Sequence, residues 1–108
     1  MFLDPRAVLI HVYKWPIDCR KGHAGLLHLV TAQLQQEIRG GAIFLFVSKD
    51  RKTAKALRFD GSGLNVYHKK MERGKVMPFR FDGALMMVSA DEFMGILAGA
   101  QIRLDLRL

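Results

Sequence analysis

The residues of this sequence best placed to do chemistry are cations. Lys49, Arg51, Lys52 and Lys55 fall within seven positions, Arg58 follows, and Lys69, Lys70, Arg73 and Lys75 form a second run. Side chains of this type at this density neutralise phosphates: each contact releases condensed counterions, and binding becomes steeply dependent on salt. Tyr67 and His68 lie beside the second run as candidate stacking groups, although Tyr67 reads first as a core or cross-strand residue. Arg20 and Lys21 add a third basic site beside a Gly-x-x-Gly spacing at Gly22 and Gly25. That spacing suggests close approach by a backbone or a phosphate, and close packing of a helix on a sheet is the stronger of the two readings. KH domains hold nucleic-acid backbone with a Gly-x-x-Gly loop, but their flanking pattern is absent here.

Other chemistries have thinner support. Cys19 and His23 are four apart, a nucleophile and base spacing on a helix, yet a small thiol at a helix start is usually packing material and no oxyanion motif accompanies it. His68 with Glu72 is the only combination resembling a small nuclease site, and it needs a cleft that sequence cannot supply. The four histidines, the lone cysteine and scattered carboxylates form no metal-ligand spacing, so no metal or other cofactor is expected. No enzyme activity is expected.

Charge distribution sharpens the basic reading. The chain of 108 residues has a net charge of +7; residues 1–40 contribute +2, residues 41–80 contribute +7, and residues 81–108 contribute −2. The middle segment therefore holds the equivalent of the whole excess. The longest apolar runs, Ala42 to Val47 and Ala84 to Val88, are far shorter than the roughly 20 residues of a membrane span. No secretory signal is legible at the amino terminus, and a single cysteine excludes an intrachain disulfide; a cytoplasmic protein is the expectation.

The elements that position these cations can be read next. Residues 7–13 form a strand that ends at Trp15-Pro16. Leu27, Val30, Leu34 and Ile38 give an apolar stripe at helical spacing, which predicts one long helix from about Cys19 to Arg39, capped by Asp18 and stopped at Gly40-Gly41. An antiparallel meander follows: a continuously apolar central strand from Ala42 to Ser48, then Ala54 to Asp60 and Leu64 to Met71. Lys49 to Thr53 and Asp60-Gly61-Ser62-Gly63 supply its turns, Glu72 to Lys75 a further turn, and shorter strands are expected at Val76 to Phe81 and Ala84 to Val88. Ser89-Ala90-Asp91-Glu92 is a capping box, flanked by Val88 and Phe93 as a hydrophobic staple and stopped by Gly99. Ile102, Leu104, Leu106 and Leu108 alternate with charged or polar neighbours as an edge strand that could pair with another copy. The expected architecture is a single α+β domain over residues 1–108: a mainly antiparallel β-sheet packed against one long helix, with a second short C-terminal helix.

Met-Phe-Leu-Asp-Pro at the start, Asp18 to Leu26, Ile43 to Phe46, Lys55 to Gly63 and Tyr67 to Gly74 together resemble the small Orf2-like (TnpB) accessory protein of IS-sixty-six-type insertion sequences. The chain departs from that pattern at His23 and Ala24, where an aromatic and an acidic residue usually stand, and at Met77-Pro78, where tryptophan-proline is common. The resemblance implies a protein that assists transposition beside a separate transposase and supplies no strand-transfer chemistry. DNA and that transposase are the partners it implies. Two functional readings stand: nucleic-acid association through Arg20, Lys21 and the basic meander, or a protein adaptor that binds the transposase, or itself, through a sheet edge.

Overall fold

The computed structural model describes residues 8–100. Five strands, Ile10–Tyr13 (β1), Ile43–Val47 (β2), Thr53–Phe59 (β3), Leu64–Lys70 (β4) and Leu85–Val88 (β5), form one mixed sheet in the order β4-β3-β2-β1-β5. His23–His28 (α1) runs on into a π turn over Leu29–Gln33, and Ala90–Leu97 (α2) is the second helix.

β2 reads as central because all five of its residues are apolar, and it is central. Phe44 and Phe46 face α1 together with Leu26, Leu29, Val30, Ile38 and Leu57. Ile43, Leu45 and Val47 face α2 together with Val12, Ala54, Ala56, Phe93 and Ile96. A strand buried on both faces cannot alternate apolar with polar residues. The sheet is thus the middle of three layers.

The expectation of one long helix on a mainly antiparallel sheet is corrected here. β1 and β2 pair in parallel, with Ile10 opposite Ile43, so the chain must cross over from the end of one strand to the start of the next. A helix from Cys19 to Arg39 would be about 31 Å long, roughly twice the length of the four- and five-residue strands it has to span. The 11 residues of α1 and the π turn fit. Leu34 N–H donates to the Leu29 carbonyl, Gln36 N–H donates to that of Val30, and Gln35 takes φ +53°, so the helix unwinds and returns Ile38 to the core. Asp18 caps no helix, since Gly22 is the residue before α1, and Gly41, with φ +86°, turns the chain into β2 rather than ending a helix.

The β2-β3-β4 meander is present with the expected turns. At the second, the Asp60 carboxylate accepts from the Ser62 and Gly63 amides, the Ser62 hydroxyl and Asn65, while Gly61 takes φ +101°. The meander does not continue. Residues 76–81 form no strand, and β5 joins β1 at the opposite side of the sheet, Ile10 opposite Val88. Pro78 has no N–H to give a ladder, and the Val76 and Met77 carbonyls are taken by the Arg51 side chain.

α2 begins as its sequence requires. The Ser89 hydroxyl accepts from the Glu92 amide at 3.1 Å, Glu92 Oε1 accepts from the Ser89 amide at 2.8 Å, and Val88 and Phe93 are both buried. Gly99 follows with φ +85°. The alternating segment from Ile102 to Leu108 and the opening Met-Phe-Leu-Asp-Pro lie outside the described residues.

Candidate nucleic-acid interface

Parallel pairing of β1 with β2 brings the carboxyl ends of both strands to one end of the sheet. The antiparallel partners β3 and β4 place the start of β3 and the end of β4 there as well: Thr53 is opposite Lys70, and the Met71 amide donates to the Lys52 carbonyl at 2.7 Å. The Ser48 to Thr53 hairpin, the loop after β4 and the approach to α1, which bridges to β2 through Ile17 and Ser48, therefore form one surface. Lys21, Lys49, Lys52, Lys70, Arg73 and Lys75 are exposed on it, and none of their side chains has a hydrogen bond or ion pair among the described residues.

A cleft of about 580 Å³ opens in the same surface, lined by Lys49, Asp50, Arg51, Lys52, Lys75, Val76, Met77 and Pro78. Its carboxylate is already engaged. Asp50 accepts from the Ser48 hydroxyl at 2.7 Å and from the Lys52 amide at 3.0 Å, which holds it below the usual carboxylate range. The lysines dominate what an incoming ligand meets.

The other nominated cations do different work. Arg51, in the left-handed region at φ +63°, donates from Nε to the Val76 carbonyl at 2.7 Å and from a terminal nitrogen to that of Met77 at 2.6 Å. Its guanidinium lies 4.8 Å from the Phe79 ring centre, and its own carbonyl accepts from the Val76 amide. Burial pushes its pKa down from the usual value. Arg51 is a clasp that builds one wall of the cleft. Lys55 is 8% exposed and donates to the Lys21 carbonyl at 2.7 Å, which ties the approach to α1 onto β3. Lys69 points to the opposite face and donates to the Leu97 carbonyl, a cation at the negative end of α2. Arg58 donates to the Gly41 carbonyl at the far end of the sheet, and Arg20 pairs with Asp18 at 2.7 Å on the exposed surface. The Arg20 side chain and amide hold the Asp18 carboxyl well below its usual range.

Gly25 does not meet the sheet; a Cβ there would lie 3.2 Å from the Lys21 side chain, and Gly22 has open space around it. Tyr67 packs against the α2-side core, in keeping with its cross-strand reading. Cys19 lies before α1 and its Sγ faces the Thr53 carbonyl at 3.9 Å, while burial raises the thiol's pKa, the opposite of what activates a nucleophile. Among the described residues no three His, Cys, Asp or Glu side chains gather as a metal site, and no helix is long and apolar enough to cross a membrane.

Sequence spacing marks Trp15 only as the end of β1 and gives Lys14 no role. In the fold Trp15 stands at the basic end, 54% exposed, with the Lys14 ammonium 5.0 Å from its ring centre. The adjacency depends on the parallel β1-β2 pairing, which local patterning does not reveal.

Residues 8–105 match the family described as IS66 Orf2 like protein. The chain belongs to that family. Over 95 residues it is 38% identical to the uncharacterized protein y4jC of Sinorhizobium fredii, covering 87% of this chain and 80% of that protein. No solved structure matches. Membership of the IS66 Orf2-like family makes the protein an accessory component of IS66-type transposition, and the resemblance read in the sequence is confirmed at that level.

Proposed function

We propose that this IS66 Orf2-like protein is a non-catalytic accessory factor that holds the element's DNA, or a transposase–DNA complex, by phosphate contacts from the basic end of its sheet. The observation that carries this reading is the convergence of Lys21, Lys49, Lys52, Lys70, Arg73 and Lys75, drawn from three separate segments, with side chains that the fold does not use. Phosphate contacts of this kind position a protein without reading bases. Arg51 and Lys55 support the surface from within, while Arg58 and Lys69 are spent on contacts elsewhere in the fold. Binding measured across a salt series tests it: log affinity should fall linearly with log salt, by about 0.9 per phosphate contact on duplex DNA. Absence of binding at low salt, or binding indifferent to salt, defeats the reading.

The adaptor reading has one observation in its favour, since the sheet ends at β4, whose Leu64–Lys70 edge pairs with no further strand among the described residues. Co-purification with the transposase of the same element, retained after charge reversal of Lys49, Lys52 and Lys75, would favour it over DNA binding.

A further inference from the structure

Trp15 does not stand alone at the basic end. Lys14 lies between two rings, 5.0 Å from the centre of Trp15 and 5.8 Å from that of Phe81. Phe81 is 6.3 Å from Phe79, and the Arg51 guanidinium is 4.8 Å from the centre of the Phe79 ring. Arg51 in turn lines the lysine cleft. A row of side chains in contact, Trp15, Lys14, Phe81, Phe79 and Arg51, thus connects an exposed indole to a cleft with Lys49, Lys52 and Lys75 on its walls and Met77 and Pro78 among its apolar lining. The buried member, Phe81, anchors the row in the α2-side core.

From this arrangement we infer that the basic end binds unpaired DNA, with a base stacked on Trp15 and phosphates further along the same strand held by the lysines of the cleft. The inference rests on the nucleic-acid reading above and narrows its substrate. A large aromatic usually buries most of its surface; this one leaves more than half of it open, at the end of the sheet that carries the exposed lysines. In duplex DNA the base faces are covered by stacking, so an exposed ring offers it nothing. An unpaired base has a free face, and a ring next to a basic groove is the common means of holding single strands without sequence preference. The cleft is concave and mixes lysines with apolar walls, which suits a nucleotide that presents both a charge and a ring. The Lys14 ammonium, 5.0 Å from the indole centre, adds positive charge beside the strand that a stacked base would belong to.

Trp15 is the single tryptophan of the chain, so its fluorescence reports the site directly. Titration of the full chain with oligothymidylate should quench that emission, and titration with a duplex at the same low salt should bind without comparable quenching. Trp15→Ala should weaken oligothymidylate binding about fivefold to a hundredfold, measured by anisotropy of a labelled strand, and leave duplex affinity unchanged. Trp15→Phe, which keeps a stacking ring, should recover most of the loss. Because Trp15 is exposed, both variants should unfold in urea close to the parent, which separates a binding defect from a folding defect. Unchanged oligothymidylate affinity in Trp15→Ala, or bound oligothymidylate with unquenched emission, overturns the stacking site while leaving phosphate binding intact. Failure of both probes to bind at low salt overturns the nucleic-acid reading as well.

Discussion

The two ends of the sheet carry similar residue types and use them differently. At the end where β3 turns into β4, charge is consumed by the fold: Asp60 collects four hydrogen bonds, Arg58 donates to the Gly41 carbonyl, Glu37 accepts from the Arg39 amide, and the Arg39 guanidinium covers the Phe59 ring. The cleft there, about 370 Å³, is lined mainly by apolar residues with one cation and one anion. At the opposite end the carboxylates of Asp18 and Asp50 are engaged locally, and six lysine and arginine side chains have no bonded partner among the described residues. What distinguishes the ends is the balance between charges and the carbonyls and carboxylates able to satisfy them. A count of cations along the chain cannot see that balance.

The largest expected effect breaks the contrast directly. Replacing Lys49, Lys52 and Lys75 together by glutamate should lower DNA affinity about a hundredfold or more at low salt and reduce the salt slope by about three contacts' worth. Arg39→Glu at the far end should leave both unchanged. Anisotropy titrations at several salt concentrations read the two variants side by side.

Next in size is the clasp. Arg51→Ala removes two hydrogen bonds from a charged donor and a ring contact while leaving a non-glycine residue at φ +63°, and should cost about 2 kcal/mol in urea unfolding. Its neighbour Lys52→Ala should change stability by less than about 0.5 kcal/mol, because its side chain is exposed and unbonded. The pair isolates fold from surface within two adjacent residues.

Lys69 and Lys70 repeat the test on a smaller scale. Lys69→Ala should cost about 1 kcal/mol through the lost contact with the end of α2, and Lys70→Ala should instead weaken DNA binding with stability unchanged. Ser89→Ala, which removes the capping box far from the basic loops, should cost about 1 kcal/mol and leave DNA affinity alone.

The smallest effect concerns Asp60. Hydrogen bonds from the Ser62 amide and its other partners hold its pKa well below the unfolded value, so the folded state binds fewer protons than the unfolded state in acid. Its contribution is fully present above about pH 4 and fades as pH falls towards the depressed folded value. Urea unfolding at neutral and at acid pH should show a shallower acid loss in Asp60→Asn than in the parent. An unchanged slope would mean the turn does not depend on the ionised carboxylate.

Much of this fold is legible in local sequence. The capping box at Ser89, the glycine-rich turn after Asp60, the two-faced burial of β2 and the limits of the meander strands follow from interactions within a few residues of each other. The long helix does not, because an apolar stripe at Leu27, Val30, Leu34 and Ile38 is satisfied equally by a straight helix and by a short one that unwinds. The strand length that the crossover must match decides between them. The exposed basic surface, proposed above as the site, divides along the same line. Lys49, Lys52, Lys70, Arg73 and Lys75 are found by charge density alone, whereas Arg51, Lys55 and Lys69 carry the same signal and are claimed by carbonyls 25, 34 and 28 positions away.

The sequence by itself determined the family, the positive middle third, the hairpin turns and the capped second helix, since each depends on residue identity or on neighbours in the chain. Only the tertiary structure decided the parallel pairing of β1 with β2, and with it the meeting of Trp15, the hairpin and the loop after β4 at one end. Pairing partners are chosen by burial on both faces of a sheet, a property of the assembled layers that no single segment contains.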